Sequence, residues 1–376
     1  MEPSRIEIDQ SSFPNSSAKQ INFTMMLGPL MTDIDGVELS AADREILQHP
    51  MIGGVILFSR NYKSPEQIRL LTDELHKLRQ PKLLVAVDHE GGRVQRFRAR
   101  FTQLPSAAVI GDYFDEDPGA ALFFAQQCGW LMATELRSVG VDFSFAPVLD
   151  LRNSKSQIID DRAFHRDPHK LARIAHAYIK GIHQAGMPAI GKHFPGHGTV
   201  VADSHLELPV DDRSYYDISK SDLIPFRLLA TEIEGIMPAH IAYPKIDSEP
   251  AGYSSIWIND ILRQELGFQG LVFSDDLNMS GAATVGGVRD RADLALRAGC
   301  DVILLCNDRP GTERLLSSWT HTVEPLTQVR LMRMHGKTSS IPFDELDDDE
   351  RWTAARDSIS QRNESRVLDL GDDMLS

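Results

Sequence analysis

Residues able to attack carbon, move a proton or hydrogen-bond a polar ligand gather in a few short stretches of the 376-residue chain. Asp88-His89-Glu90-Gly91-Gly92-Arg93 is followed by Arg96. Asp150 precedes a loop that reaches Asp160-Asp161-Arg162-Ala163-Phe164. Lys192-His193-Phe194-Pro195-Gly196-His197-Gly198 leads to Asp203-Ser204-His205, and His240 and Ser274-Asp275-Asp276 complete the set. Taken singly, each has a structural explanation. An Asp at a strand end caps the next helix, a lone His is a hydrogen-bonded structural residue, and Gly pairs make turns. Those explanations weaken when several loops carry such groups to one rim. Asp203, two residues from His205, can accept its imidazole N–H, which fixes the tautomer and raises basicity. Thr199 to Ala202 are small enough for a loop that moves over bound substrate. An Asx-turn with a surface His is the plainer account of that pair.

Two chemistries could use these groups. Metal hydrolysis would draw ligands from His193, His197, His205, Asp88 and Asp275, although neither His-Glu-x-x-His nor another compact ligand motif occurs. Glycosyl transfer needs one group to attack the anomeric carbon and another to protonate the leaving oxygen. The surrounding Arg, Lys, His and Asp would then hydrogen-bond the sugar. The residues themselves leave both open.

The elements that must position these groups are legible as alternating short apolar runs and longer amphipathic stretches, the pattern of parallel strands joined by crossover helices. Strands are expected at Met25–Leu30, Gly54–Phe58, Leu83–Val87, Asp142–Pro147, Met187–Lys192, Gly235–Ala239, Gly270–Ser274 and Asp301–Cys306. A helix from Ser255 places Ile258, Ile261, Leu262 and Leu266 on one stripe before Gly267. Another follows Pro65 with Ile68, Leu71, Leu75 and Leu78. Eight strands with intervening helices predict an α/β chain folded as a single TIM (β/α)8-type barrel, whose functional residues collect at the strands' C-terminal ends. No Gly-x-Gly-x-x-Gly opens a helix, which speaks against a dinucleotide-binding sheet.

Residues 1–20 are expected as a flexible leader, 21–342 as the catalytic barrel and 343–376 as an acidic, solvated tail. The net charge of -15 argues against nucleic-acid binding, which needs clustered Lys and Arg. The longest apolar runs are too short to span a membrane, and the N-terminus lacks a signal-peptide pattern. Three cysteines without a Cys-x-x-Cys pair suit a reducing compartment and buried packing, so a cytoplasmic protein is expected. A monomer is favoured.

Lys192 to Gly198, Asp203-Ser204-His205 and Phe273-Ser274-Asp275-Asp276-Leu277-Asn278-Met279 strongly resemble family 3 glycoside hydrolases. Gly53 to Phe58, Asp88 to Arg93 and Gly235 to His240 agree in order and spacing. The chain is most similar to the β-N-acetylglucosaminidase (β-N-acetylhexosaminidase) branch, bacterial enzymes of peptidoglycan recycling. The resemblance runs from about Met25 to at least Asn307. It implies a retaining mechanism through a covalent glycosyl-enzyme, with Asp275 as nucleophile and His205, supported by Asp203, as acid/base. It also implies that Asp88, Arg96, Arg162, Lys192 and His193 bind the sugar, and that no metal or organic cofactor is needed. The substrate implied is a small carbohydrate, a muropeptide bearing terminal N-acetylglucosamine. Alternatives are a β-glucosidase of the same family, a metal-dependent TIM-barrel hydrolase, and a sugar-binding protein without catalysis. Three features depart from the pattern: His89 where many relatives have Gln, Asp160 to His165 in place of Gly-x-Arg-Ser-Phe-Gly, and the lack of a second domain after the barrel.

Overall fold

Strands covered on both faces must be apolar throughout, and Ile52–Leu57 is buried at every position. In the computed structural model it is one of eight parallel strands: β1 (Leu30–Thr32), β2 (Ile52–Leu57), β3 (Leu84–Val87), β4 (Phe143–Ser144), β5 (Ile190–Phe194), β6 (Gly235–Pro238), β7 (Leu271–Asp276) and β8 (Val302–Leu305). The structure describes residues 26–153, 156, 158–197, 200, 208–279, 281–337 and 341–373, with side chains to residue 363 apart from 283 and 284.

The hydrogen-bonded order is β4-β3-β2-β1-β8-β7-β6-β5. β1 closes on β8 in the register Leu30 to Ile303. The remaining seam joins the chain just after β4 to β5. There Val148 bridges Lys192, and the Ile190 N–H donates to the Ala146 carbonyl at 2.9 Å. Phe143 and Phe145 meet Phe273 of β7 at centroid distances of 5.6 and 5.2 Å. Contact between β4 and β7 crosses the barrel, so these rings fill its interior. The chain is therefore a TIM-type barrel, as expected.

Every expected strand lies at or near an observed one. The first begins later, at Leu30, and before it Gly28 is pressed against the next chain segment, where a Cβ would lie 2.0 Å from the Met51 carbonyl carbon. The helix Pro65–Lys77 starts where Ser64 accepts the Gln67 N–H at 3.2 Å and buries Ile68, Leu71 and Leu75. Ile256–Glu265 buries Ile258, Ile261 and Leu262 as the stripe requires, but is wound as a π-helix. Gly267 follows at φ +73°.

The acidic stretch after Pro342 is not a tail. Phe343–Asp348 makes a 3-10 turn and Glu350–Asp373 a helix. Asp344, Glu345, Asp347, Asp348 and Glu350 are exposed, but Leu346, Trp352, Ala355 and Ile359 are buried between and after them. The charge run masked an apolar set at helical spacing. The leader at residues 1–20 lies outside the described residues. Among the described residues no helix is long and apolar enough to cross a membrane, and all three cysteines are free and buried.

Candidate active site

The C-terminal ends of the strands surround a cavity of about 650 Å3. Asp88 enters it just past β3, Lys192 and His193 from the end of β5, and Asp275 and Asp276 from the end of β7. Glu90, Arg93 and Arg96 come from the hairpin formed by His89–Gly91 and Val94–Gln95, and Arg162 from the long loop after β4.

Its charged groups form a chain. The Lys192 ammonium lies 2.8 Å from Asp88 Oδ1 and 2.7 Å from Glu90 Oε1. Arg162 grips Glu90 through Nε at 2.8 Å and a terminal nitrogen at 2.7 Å, the bidentate geometry that suits guanidinium to carboxylate. Burial opposes the Glu90 charge, but Arg162 and Lys192 outweigh it and hold the carboxyl far below its usual range. Burial likewise opposes the Lys192 charge, and Asp88 and Glu90 keep its pKa above the ordinary value. Arg96 approaches Asp88 at 3.7 Å, and its buried Nε has no hydrogen-bond partner among the described residues. Opposite this group, Asp150 organises the histidine loop. It takes His193 Nδ1 at 2.7 Å and the His197 amide at 2.6 Å.

The two adjacent carboxyls of β7 sit in contrasting surroundings. Burial opposes the charge on Asp275, but His240, His193, the Asp276 amide and Lys192 more than offset it, so Asp275 is held below its ordinary value. Burial also pushes His240 down, so near neutrality its own charge contributes little. Asp276 is instead pushed up to about 7 by burial and by Asp275, against the amides of Asn278 and Cys306, each 3.0 Å from Oδ1. Neighbouring acids driven apart in this way can take different roles. Among the described residues Asp275 accepts a hydrogen bond only from the Asp276 amide, at 2.8 Å.

Six of the sequence-level site residues, Asp88, Arg96, Arg162, Lys192, His193 and Asp275, line this one cavity. Asp203 and His205 lie outside the described residues. Among the described residues no three His, Cys, Asp or Glu side chains converge to hold a metal. Asp88, one ligand candidate, instead faces Lys192. Glu90, Asp150 and His240 were seen in the sequence but given no role. Glu90 had only its place two residues beyond Asp88 to mark it, because the barrel strand ends at Val87 and Glu90 lies in the hairpin that follows. Asp150 had no such signal: its partner His193 is 43 residues away.

A polar cavity on the C-terminal face, with an ionised carboxylate at its wall and a buried cation–carboxylate chain beside it, is the site of a TIM-barrel enzyme acting on a polar substrate. Comparison with known proteins makes the assignment particular. Residues 19–333 match the family described as Glycosyl hydrolase family 3 N terminal domain. The chain is 51% identical over 337 residues to a beta-hexosaminidase of Nitrosospira multiformis, across 89% of this chain and 97% of that one. It is 50% identical to the beta-hexosaminidase of Thioalkalivibrio sulfidiphilus, across 92% and 99%. NagZ from Neisseria gonorrhoeae, solved in complex with N-trifluoroacetyl-D-glucosamine, has a TM-score of 0.85 at 42% identity and covers 90% of this chain and 98% of its own. The chain belongs to glycosyl hydrolase family 3 and is a glycoside hydrolase of the β-hexosaminidase kind.

Proposed function

We propose that this enzyme is an exo-acting, retaining β-N-acetylglucosaminidase that removes terminal β-linked N-acetylglucosamine from peptidoglycan-derived muropeptides in the cytoplasm. Asp275 attacks the anomeric carbon and forms the covalent glycosyl-enzyme. His205, oriented by Asp203, protonates the leaving oxygen and later deprotonates the attacking water. Asp88, Arg96, Arg162, Lys192 and His193 hold the sugar. The protein's own groups supply every step.

The observation that carries this reading is the state of Asp275. It is held below its ordinary value at the cavity wall with one amide hydrogen bond among the described residues, while Asp88 and Glu90 are engaged by cations. A nucleophile must be ionised and uncommitted. The Arg96 Nε, without a hydrogen-bond partner among the described residues, offers a donor to a sugar oxygen. The N-trifluoroacetyl-D-glucosamine carried by the gonococcal structure supports an acetamido sugar.

A pocket built to pair an acetamido group rejects a substrate without one, because its polar atoms go unsatisfied. Cleavage of an aryl β-N-acetylglucosaminide is therefore expected to far exceed that of the matching β-glucoside. Comparable kcat/KM values would instead show that the pocket does not select the acetamido group. A slow-turnover fluorinated sugar should label Asp275, and a label on Asp276 would reassign the nucleophile. Release of N-acetylglucosamine from a muropeptide ending in anhydro-N-acetylmuramic acid tests the natural substrate.

A further inference from the structure

The loop that carries Arg96 is anchored far from the cavity. Gln95 is buried and ties the loop together, donating to the Phe97 and Thr102 carbonyls at 3.1 and 2.9 Å and accepting the Leu104 N–H at 3.0 Å. Phe97 and Phe101 pack against the buried His89 ring at 5.9 and 5.7 Å, and His89 stands between Asp88 and Glu90. Thr102 then reaches Glu135, a buried carboxyl on the helix Pro118–Ser138. Its amide lies 3.0 Å from Oε2 and its hydroxyl 2.5 Å from Oε1. The same Oε1 accepts Trp352 Nε1 at 3.1 Å, from the C-terminal helix Glu350–Asp373. Phe343 packs on Phe101 at 5.1 Å, and Asn363 donates to the Gln103 carbonyl at 2.9 Å. These C-terminal contacts come from beyond residue 333, where the family match ends.

We propose that Glu135, joined to Trp352, is a positioning residue for substrate binding that fixes the Arg96 loop through Thr102. The proposal rests on the reading of Arg96 as a sugar ligand. Burial pushes Glu135 up to about 7 against the bonds it receives from Thr102 and Trp352, and the Thr102 amide and the Trp352 indole that meet it can only donate. A glutamine would turn an NH2 toward one of them, and a buried donor would lose its acceptor. The loop would then shift on its Phe97–Phe101 packing and move Arg96 relative to Asp88. Displacements of this kind reach the chemistry from a distance because tight sites are sensitive to about 1 Å.

The test measures KM and kcat for an aryl β-N-acetylglucosaminide, and inhibition by free N-acetylglucosamine, in Glu135→Gln, Trp352→Phe, Arg96→Ala and the Glu135→Gln/Arg96→Ala double variant. Glu135→Gln is expected to raise KM and the inhibition constant on the order of tenfold while kcat changes much less. Trp352→Phe, which keeps the packing and loses one donor, should act in the same direction by a smaller factor. In the Arg96→Ala background Glu135→Gln should add nothing further. Equal effects of Glu135→Gln with and without Arg96, or unchanged KM in folded Glu135→Gln and Trp352→Phe, would overturn the proposal. An Arg96→Ala enzyme with normal KM would instead refute Arg96 as a ligand. If Glu135→Gln fails to fold, Trp352→Phe with and without Arg96 gives the same comparison.

Discussion

At the scale of single residues, the site separates charge states that bulk water would make equal. Asp275 and Asp276 are neighbours, yet one is held below and the other pushed up to about 7. A carboxyl whose folded pKa is raised contributes stability that is present below its unfolded value, about 3.9, and is lost as pH rises through about 7. Asp276→Asn, which keeps an acceptor oxygen for the Asn278 and Cys306 amides, should therefore raise Tm more at pH 8 than at pH 4. A Tm difference independent of pH would show that Asp276 is not neutral in the folded protein. Glu90 has the opposite sign. Its depressed pKa contributes stability above the unfolded value of about 4.3, and that contribution fades as pH falls below it. Glu90→Gln leaves two buried cations short of a partner and should cost about 3–5 kcal/mol near neutrality. Urea titrations should show the gap narrowing below about pH 4. For His205→Ala the expected signature is kinetic. Rates on poor leaving groups should fall roughly 10²–10⁴-fold, activated aryl glycosides should suffer less, and azide should restore turnover where deglycosylation limits. Equal loss on every leaving group, with no azide rescue, would make His205 structural.

At the scale of elements, close approach sets what the sequence can tolerate. The helices Pro118–Ser138 and Pro168–Gln184 cross at two glycines. A Cβ on Gly129 would lie 2.1 Å from the Tyr178 carbonyl oxygen, and one on Gly181 2.1 Å from that of Gln126. Gly129→Ala must push backbone apart and should cost about 1–3 kcal/mol. Gly267→Ala meets open space and only its φ of +73° resists, so about 1 kcal/mol is expected. Denaturant midpoints that rank the two the other way would contradict this packing. The same contrast explains what could be read in advance. Barrel strands are continuous apolar runs because both faces are covered, so Ile52–Leu57 and Val302–Leu305 announce themselves. Motif residues such as Lys192 and Asp275 stand at strand ends and are also visible. Partnerships are not: Lys192 meets Asp88 across 104 residues and His193 meets Asp150 across 43, distances over which no local period operates. The π-winding of Ile256–Glu265 was equally hidden, since its apolar stripe is the one an α-helix would show. The C-terminal helix was missed for the reverse reason, because solvated charges outnumber the anchors Leu346 and Trp352 among which they stand.

At the scale of the whole molecule, the protein's field and the site's field differ. The chain carries a net charge of -15, so at low ionic strength it repels anions at long range. The cavity wall is closer to balance, with Arg93, Arg96, Arg162 and Lys192 set against Asp88, Glu90 and Asp275, and with Asp276 pushed up to about 7. A muropeptide bears carboxylates, whereas a simple aryl N-acetylglucosaminide bears none. The two substrates should therefore respond differently to salt. Between about 0.01 M and 0.15 M salt the screening length shrinks from roughly 30 Å to roughly 8 Å. That change removes the repulsion from distant surface carboxylates and leaves contacts inside the cavity nearly untouched. The expected outcome is that kcat/KM for the muropeptide rises over this range while that for the neutral glycoside stays flat. The effect should reside in KM, because salt alters the approach of substrate and not the bonds broken afterwards. A fall for the muropeptide would mean that the cavity arginines dominate its approach, and attraction would then be the quantity being screened. Identical salt responses for both substrates would remove charge from the encounter altogether, and with it the argument that an acidic enzyme meets this anionic substrate against its own field.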